Sequence, residues 1–301
     1  MPCLARPCQE ADPKKTGVGV NVMSREKKLA IMSGLVEGVS VRSLERMTGA
    51  HRDSIVRLLR RVGDGCGRLL EEKMRGLDLR SIQADEIWSF IHTKQGHLRP
   101  GDPSEYGDQF VFVALDADTK LVPCFEVGKR DSHTTDRFML RLRSCLNGHR
   151  VQITTDGFKP YIWAVEQAFG ADADYAQEIK DFREDGAARD RYRPPDFVTT
   201  QEIVIAGHPN RECISTSFVE RQNLTMRMQM RRFTRLTNAF SKSLDSLRAA
   251  VALHFAYYNF VRAHITLKIT PAMAAGITSH FWTLQDLLAW EAPYSAQANL
   301  N

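Results

Sequence analysis

The sequence contains no apolar run long enough to form a membrane-spanning helix. No segment reaches about 18 consecutive apolar residues, and the first residues lack the apolar core of a secretion signal. The six cysteines are scattered without the paired short spacings of a zinc site, and only Cys3 and Cys8 lie near each other. We therefore expect an intracellular protein that has reduced thiols and does not act at a membrane.

Composition and charge favour a folded protein with a polyanionic partner. A length of 301 residues with 43% hydrophobic residues is enough for sizeable cores in about two domains. The net charge is +5, and the excess is concentrated: between Arg221 and Arg262 eight basic residues stand against one acid, Asp245. Such a run is often only a solvated face, but aromatic residues are interleaved with it here. Nucleic acid is therefore the favoured partner.

Three acidic residues, Asp85, Asp156 and Glu220, lie in segments suited to a catalytic carboxylate. Asp85 interrupts an apolar strand pattern, and Asp156 ends another strand just before Gly157. Glu220 lies in a helical segment in which the 3.6-residue repeat places Asn223 and basic residues on the same face. Carboxylates facing one cleft, followed by cations, are the pattern of a two-metal phosphoryl-transfer site.

The simpler interpretation is that these are surface acids, because the chain contains 36 Asp and Glu residues. Two features argue against it. An Asp inside an apolar strand is costly unless it binds something. The glycine after Asp156 also allows a ligand or a backbone to approach closely.

Residues 26–63 have the pattern of three short helices, the last two separated by a turn at Gly49. This is the spacing of a helix-turn-helix. The alternative is an ordinary helical hairpin with a basic outer face. We favour DNA binding because the turn glycine and an arginine-rich final helix occur together. The residues expected to face a major groove are Arg52, Ser54, Arg57 and Arg61.

Several local motifs resemble the DDE transposases of bacterial insertion sequences, in particular the insertion sequence 1 family. They are Asp85-Glu-Ile-Trp-Ser-Phe90, Thr154-Thr-Asp156-Gly157, the block 215–241 around Glu220, and Tyr258-Asn-Phe-Val-Arg262. The resemblance covers about residues 24–290, and the block around Glu220 is its most specific part. It implies an RNase H-like catalytic domain, which the predicted element order βββαβαβα also indicates.

The resemblance further implies that Asp85, Asp156 and Glu220 are the catalytic triad and bind two Mg²⁺ (or Mn²⁺) ions. The reaction that the resemblance implies is cleavage of DNA at the element ends, followed by strand transfer, in which the exposed 3′-OH is joined to target DNA. The expected partners are double-stranded DNA, as terminal inverted repeats and target, and at least one further copy of the chain. The expected location is the bacterial cytoplasm, at the nucleoid. The residues expected to hold backbone phosphates are Arg221, Arg227, Arg231 and Arg232.

The predicted fold class is α/β (α+β): an RNase H-like mixed sheet with flanking helices, between a small all-α domain and C-terminal helices. The predicted organisation is a disordered tail at 1–22, a helix-turn-helix domain at 23–63, a linker at 64–80, a catalytic domain at 81–240 with an insertion loop at 181–215, and a helical region at 241–301. Met23 is an alternative start to Met1.

Three alternatives to a transposase stay open at this point. One is a non-catalytic helix-turn-helix regulator, which would bind DNA equally well with or without Mg²⁺. The second is an RNase H-like nuclease, which would hydrolyse its substrate without joining strands. The third is an inactive remnant of a transposase, although all three carboxylates and their flanking residues are present.

Overall fold

The computed structural model describes residues 23–183, 196–234 and 237–293. The predicted tail at 1–22 lies outside these residues, and so do residues 184–195 of the predicted insertion. Within them, no helix is long and apolar enough to cross a membrane.

The described chain begins with three helices, α1 (Arg25–Val36), α2 (Val41–Thr48) and α3 (Arg52–Lys73). Ser40 caps the start of α2 by accepting a hydrogen bond from a backbone amide of its first turn. The helix ends at Gly49, which adopts the left-handed conformation with φ 65°. The expected helix, glycine turn and second helix are therefore present.

The predicted linker at 64–80 is wrong over its first ten residues, because α3 continues without a break to Lys73. Two glycines in this helix, Gly63 and Gly65, allow close packing. A Cβ at Gly63 would lie 2.2 Å from the carbonyl oxygen of Ala249 on a later helix. At Gly65 it would lie 1.9 Å from the carbonyl oxygen of Trp290. Only glycine allows α3 to approach these two backbones so closely.

The remaining elements form one six-stranded sheet with helices on both faces. Its strands are β1 (Ser81–Ile91), β2 (Gly107–Asp116), β3 (Phe125–Gly128), β4 (Val151–Thr155), β5 (Ala173–Arg183) and β6 (Asp196–Ala206). Their spatial order is β3-β2-β1-β4-β5-β6. β1 pairs antiparallel with β2 and parallel with β4, and β4 pairs parallel with β5.

The helices after β3 are α4 (Ser132–Cys145), α5 (Pro160–Phe169), α6 (Ser217–Gln229), α7 (Leu244–Ala256), α8 (Pro271–Ala274) and α9 (Leu284–Ala289). Short 3₁₀ turns lie at Gln95–His97, Gly170–Asp172, Arg211–Cys213 and Arg231–Phe233, and a π-helical turn at Tyr257–Val261 follows α7.

The two sheet faces are covered by different helices. Phe112 of β2 contacts Phe138 of α4 and Tyr161 of α5. On the other face, the side-chain oxygen of Gln83 accepts hydrogen bonds from the first amides of α6. The prediction of a mixed sheet with flanking helices is confirmed.

The predicted insertion loop at 181–215 is wrong where β6 forms, because this strand pairs antiparallel with β5 and adds a sixth strand. Its segment contains the β-branched residues that favour strands. Residues 197–204 are exposed on both faces, however, so the alternation of apolar and polar side chains that marks a half-buried strand is missing.

Candidate active site

Strand pairing brings the first two predicted carboxylates together. The last residue pair of the parallel β1–β4 ladder is Ala84 with Thr155. Asp85 and Asp156 are the next residues of the two chains, so they follow this pair side by side. Neighbouring strands are about 4.8 Å apart, so the two carboxylates lie close together at the end of β4, between the two central strands of the sheet.

Glu220 reaches the same region from the first turn of α6. The start of this helix is fixed on β1, because Gln83 Oε1 accepts hydrogen bonds from Phe218 N at 2.8 Å and Val219 N at 3.1 Å. One turn along the helix, Asn223 Nδ2 donates to Asp85 Oδ2 at 2.8 Å. Two contacts of α6 with β1 therefore position the helix that carries Glu220.

Asp85, Asp156 and Glu220 line one open cleft of about 800 Å³. The cleft also contains cations, namely Arg130, Lys159, Lys180 and Arg227. Arg130 Nη2 lies 3.4 Å from Asp156 Oδ2, and Lys180 forms an ion pair with Glu220. In such an arrangement the carboxylates can bind metal cations. The surrounding Arg and Lys side chains can bind the negatively charged groups of a polyanion.

Asp85 and Asp156 are partly buried, and their negative charges repel each other. Burial, and then the charge of Asp156, raises the pKa of Asp85 to about 6, while the hydrogen bond from Asn223 opposes this rise. Burial also raises the pKa of Asp156, and the charge of Glu220 adds to that rise. A carboxyl whose pKa is raised by burial and by a neighbouring negative charge is stabilised in its charged form when a cation binds beside it.

A fourth carboxylate, Glu86, joins the aspartates and was missed by the sequence analysis. Its side chain is only 3% exposed, forms an ion pair with Arg130, and accepts a hydrogen bond from the Tyr161 hydroxyl at 3.1 Å. Burial and the charge of Asp156 raise its pKa to about 7. Strand alternation places Glu86 on the face opposite Asp85, so no pattern in the sequence indicated that it would lie near the site.

The residues fit a hard divalent cation. One carboxylate oxygen from each of Asp85, Glu86 and Asp156 lies within 4.8 Å of the others. Asn223 is buried, and its Oδ1 has no hydrogen-bond partner among the described residues. An all-oxygen donor set of this kind suits Mg²⁺ or Mn²⁺ rather than zinc. Glu220 lies outside this cluster, because its carboxylate is held by Lys180 and by the Thr216 hydroxyl at 2.7 Å.

The predicted phosphate-binding arginines do not form one stripe. Arg227 lines the cleft with Glu220. The helix ends at Gln229, so Arg231 and Arg232 leave its face and line a different groove. Arg221 is exposed and is not among the residues that line the cleft.

The predicted base-reading residues of α3 also separate into two sets. Arg52 and Arg57 are exposed, and Arg57 Nη2 donates to the Ser54 hydroxyl at 3.1 Å. Arg61 instead forms an ion pair with Glu291, whose side chain is 13% exposed. The expectation that Arg61 faces outward is wrong, because the C-terminal segment covers that side of α3.

The raised pKa values predict how stability depends on pH when divalent ions are removed with EDTA. A carboxyl whose folded pKa lies above its ordinary value stabilises the fold below that ordinary value, and the contribution is lost as pH rises through the folded pKa. For Asp85 and Glu86 the loss falls between about pH 4 and 7. We expect the Tm of the metal-free protein to fall over this range, and to fall less in Asp85→Asn. Identical Tm profiles for the two proteins would contradict the shift at Asp85.

No family model matches the sequence, and no curated protein matches it. Three of the solved structures that are similar to this chain are the Mos1 transposase paired-end complex with left transposon end, the Mos1 mariner paired end complex with Mn, and the piggyBac transposase synaptic complex with hairpin DNA. Each of these proteins is a transposase.

The likeness to these structures is distant. The first Mos1 structure is 16% identical, with a TM-score of 0.21 over 53% of this chain and 60% of its own. The Mos1 complex with Mn is 16% identical, with a TM-score of 0.22 over 52% and 59%. The piggyBac structure is 11% identical, with a TM-score of 0.42 over 93% and 73%. The chain thus spans about 60% of the length of the Mos1 chains, and the likeness assigns no activity to it.

Proposed function

We propose that the protein is a DDE transposase of the insertion sequence 1 type, which cleaves DNA at the ends of an element and joins the 3′-OH to target DNA. Asp85, Asp156 and Glu220 are its catalytic carboxylates. The observation that carries the proposal is the β1–β4 register, which places Asp85 beside Asp156 in the cleft that α6 completes with Glu220. A pair of aspartates brought together by two strands, with an acid from a helix, is an arrangement suited to phosphodiester chemistry.

The carboxylates and Asn223 would hold two divalent ions, Mg²⁺ or Mn²⁺. When bound, these ions supply Lewis-acid activation of the attacking oxygen and stabilise the leaving 3′ oxygen. Asn223 orients Asp85 through its amide nitrogen, which leaves the other carboxylate oxygen of Asp85 available to a ligand. Arg130 is fixed between Glu86 and Asp156, so its charge offsets part of the repulsion between these acids.

Cations around the cleft would position the DNA. Arg227 and Lys159 line its wall and are placed to contact backbone phosphates. The helix-turn-helix would read base edges at the terminal repeats with Arg52, Ser54 and Arg57. Two ends must be held together for joining, so the active form would contain at least two copies of the chain on DNA.

A joining assay tests the proposal. Purified protein is incubated with a labelled duplex from the DNA flanking its own gene and a plasmid target, in Mg²⁺ and in Ca²⁺. We expect cleaved ends and plasmid-joined label in Mg²⁺ only. Cleavage without joined product would instead identify a nuclease. Binding that is insensitive to metal, with no cut product, would identify a regulator or an inactive remnant.

Asn223→Ala gives a narrower test of the metal site. Removing the amide leaves Asp85 without its donor and the cluster without a neutral oxygen. Loss of a group that orients a metal ligand typically costs about 10–100-fold in metal affinity or activity. We expect the Mg²⁺ concentration for half-maximal cleavage to rise by about tenfold or more. Asn147→Ala, at an exposed position after α4, is the matched control and should leave that concentration unchanged.

A further inference from the structure

A second and larger cavity, of about 1010 Å³, lies away from the catalytic cleft. It is formed between the N-terminal helices α1–α3 on one side and residues 230–232 and 238–242 with α7 on the other. We call it the basic groove, because the charged side chains among its lining residues are mainly cations. Those on its rim are Arg42, Arg52, Arg57, Arg231 and Lys242.

The charge of the groove is not neutralised by its own lining. Asp53 is the only acidic residue among those that line it. Arg60, a further lining cation, forms an ion pair with Asp245 at 2.9 Å. Arg42, Arg231 and Lys242 have no ion pair within the described parts of the chain, and all three are exposed. A concave surface of one charge sign attracts a polyanion.

The floor of the groove is apolar, unlike a surface that binds only the phosphates of a DNA duplex. Leu35, Val39, Val56 and Phe240 all line it and all remain partly exposed. A DNA duplex keeps its bases stacked inside and presents phosphates and sugars, so it would make few contacts with an apolar floor. An unpaired strand places its bases on apolar and aromatic side chains and its phosphates on cations.

Phe240 belongs to a row of aromatic rings that runs along β1. Its ring stacks on Phe90 with centroids 4.9 Å apart, and Phe90 lies 5.5 Å from Trp88. Trp88 is 39% exposed and stands three residues after Asp85 on the same strand. Strand alternation places Trp88 and Phe90 on the face of β1 opposite Asp85, so the row lies on the strand of the catalytic aspartate but on its other face.

His254 provides an independent sign of a missing partner at the groove floor. The residue lines the groove, is 2% exposed, and burial holds its pKa at about 3, so the ring is neutral. The side-chain nitrogen of Gln222 lies 3.3 Å from Nε2. The other ring nitrogen, Nδ1, has no hydrogen-bond partner among the described residues. A buried polar atom without a partner is rare in folded proteins.

We propose that the basic groove binds an unpaired nucleic-acid strand, with its phosphates on Arg42, Arg231 and Lys242 and its bases against the floor around Phe240. α6 connects the two sites, because Glu220 lies in the cleft and Met230, ten residues later, lines the groove. The groove would thus receive single-stranded DNA close to where a strand is cut. The role of the groove near a cleaved strand rests on the proposed function, whereas the binding of a single strand to the groove does not.

Direct binding in EDTA tests the groove without any catalysis. The probe is a fluorescent 12-nucleotide oligo(dT), and the competitor is a duplex of equal length. We expect the charge reversals Arg231→Glu and Lys242→Glu each to weaken oligo(dT) binding on the order of tenfold, with a shallower dependence on salt. Arg248→Glu is the matched control. Arg248 is exposed on α7 and is not among the residues that line the groove. Its replacement by Glu changes the net charge by the same amount, so the affinity of this variant for oligo(dT) should change less than about twofold.

Phe240→Ala separates base contacts from phosphate contacts. Because unpaired bases stack on aromatic side chains and the bases of a duplex do not, loss of the Phe240 ring should weaken oligo(dT) binding about tenfold and leave duplex binding unchanged. Tm values of all variants show whether the fold is kept.

Equal affinities for Arg231→Glu, Lys242→Glu and Arg248→Glu would overturn the proposal. Equal losses for oligo(dT) and duplex would also overturn it, because the site would then be a duplex site. Asp156→Asn should bind oligo(dT) as the unaltered protein does, so inactivity in cleavage would not affect this conclusion.

Discussion

Asp156→Asn is expected to lower metal-dependent DNA cleavage by about a thousandfold or more, while the protein stays folded. The amide keeps the shape of the side chain and removes one negative charge at the point where β1 and β4 bring two aspartates together. Metal binding at such a site stabilises the transition state by several kcal/mol, and each 1.36 kcal/mol corresponds to about a factor of ten in rate. Single-turnover cleavage of a labelled element end in Mg²⁺ measures the effect.

The matched control for this substitution is Asp118→Asn. Asp118 is exposed in the turn between β2 and β3, outside the cleft. Its replacement by Asn is the same chemical change at a position away from the site. Its cleavage rate should equal that of the unaltered protein. A rate for Asp156→Asn within about threefold of this control would show that Asp156 is not a metal ligand, because that much activity cannot survive loss of the ligand charge.

Gly63→Ala is expected to destabilise the protein by about 3 kcal/mol or more. The new Cβ would lie 2.2 Å from Ala249 O and 2.6 Å from Ala249 C, and both are backbone atoms that no rotamer change can move away. The helices α3 and α7 would have to separate along their interface. Urea unfolding of the two proteins gives the difference in the free energy of unfolding.

Gly67→Ala is a control in the same helix. Nothing lies within 4 Å of a Cβ at Gly67, so the added methyl group removes only the flexibility of glycine. Such a replacement inside a helix stabilises by about 0.5–1 kcal/mol. If the two variants unfold at the same urea concentration, α3 does not pack against α7 in the way described.

An aspartate in or at the end of an apolar strand is the signal that predicts Asp85 and Asp156, because a buried carboxylate needs a partner. The strand register places these two residues side by side, and their role as metal ligands stays a prediction. Glu86 was not found, since alternation along β1 puts it on the opposite face. Only the fold shows that Arg130 and Tyr161 bring Glu86 into the same cluster.

The helix and strand that the sequence analysis missed have a common physical origin. The glycines at 63, 65 and 67 indicate a linker by propensity, but tertiary packing of Gly63 and Gly65 overrides that preference. β6 has no buried face, so its sequence carries no alternation to detect. In both cases the deciding contact is with a segment distant in sequence, and local patterns do not contain it.

The position of Mn²⁺ in crystals of the protein tests the central claim most directly. Anomalous scattering locates the ion without any assumption about the ligands. We expect density in contact with carboxylate oxygens of both Asp85 and Asp156, at about 2.0–2.2 Å, and its loss in Asp156→Asn crystals. Density elsewhere, or none at saturating Mn²⁺, would contradict a metal-dependent site where Asp85 of β1 lies beside Asp156 at the end of β4.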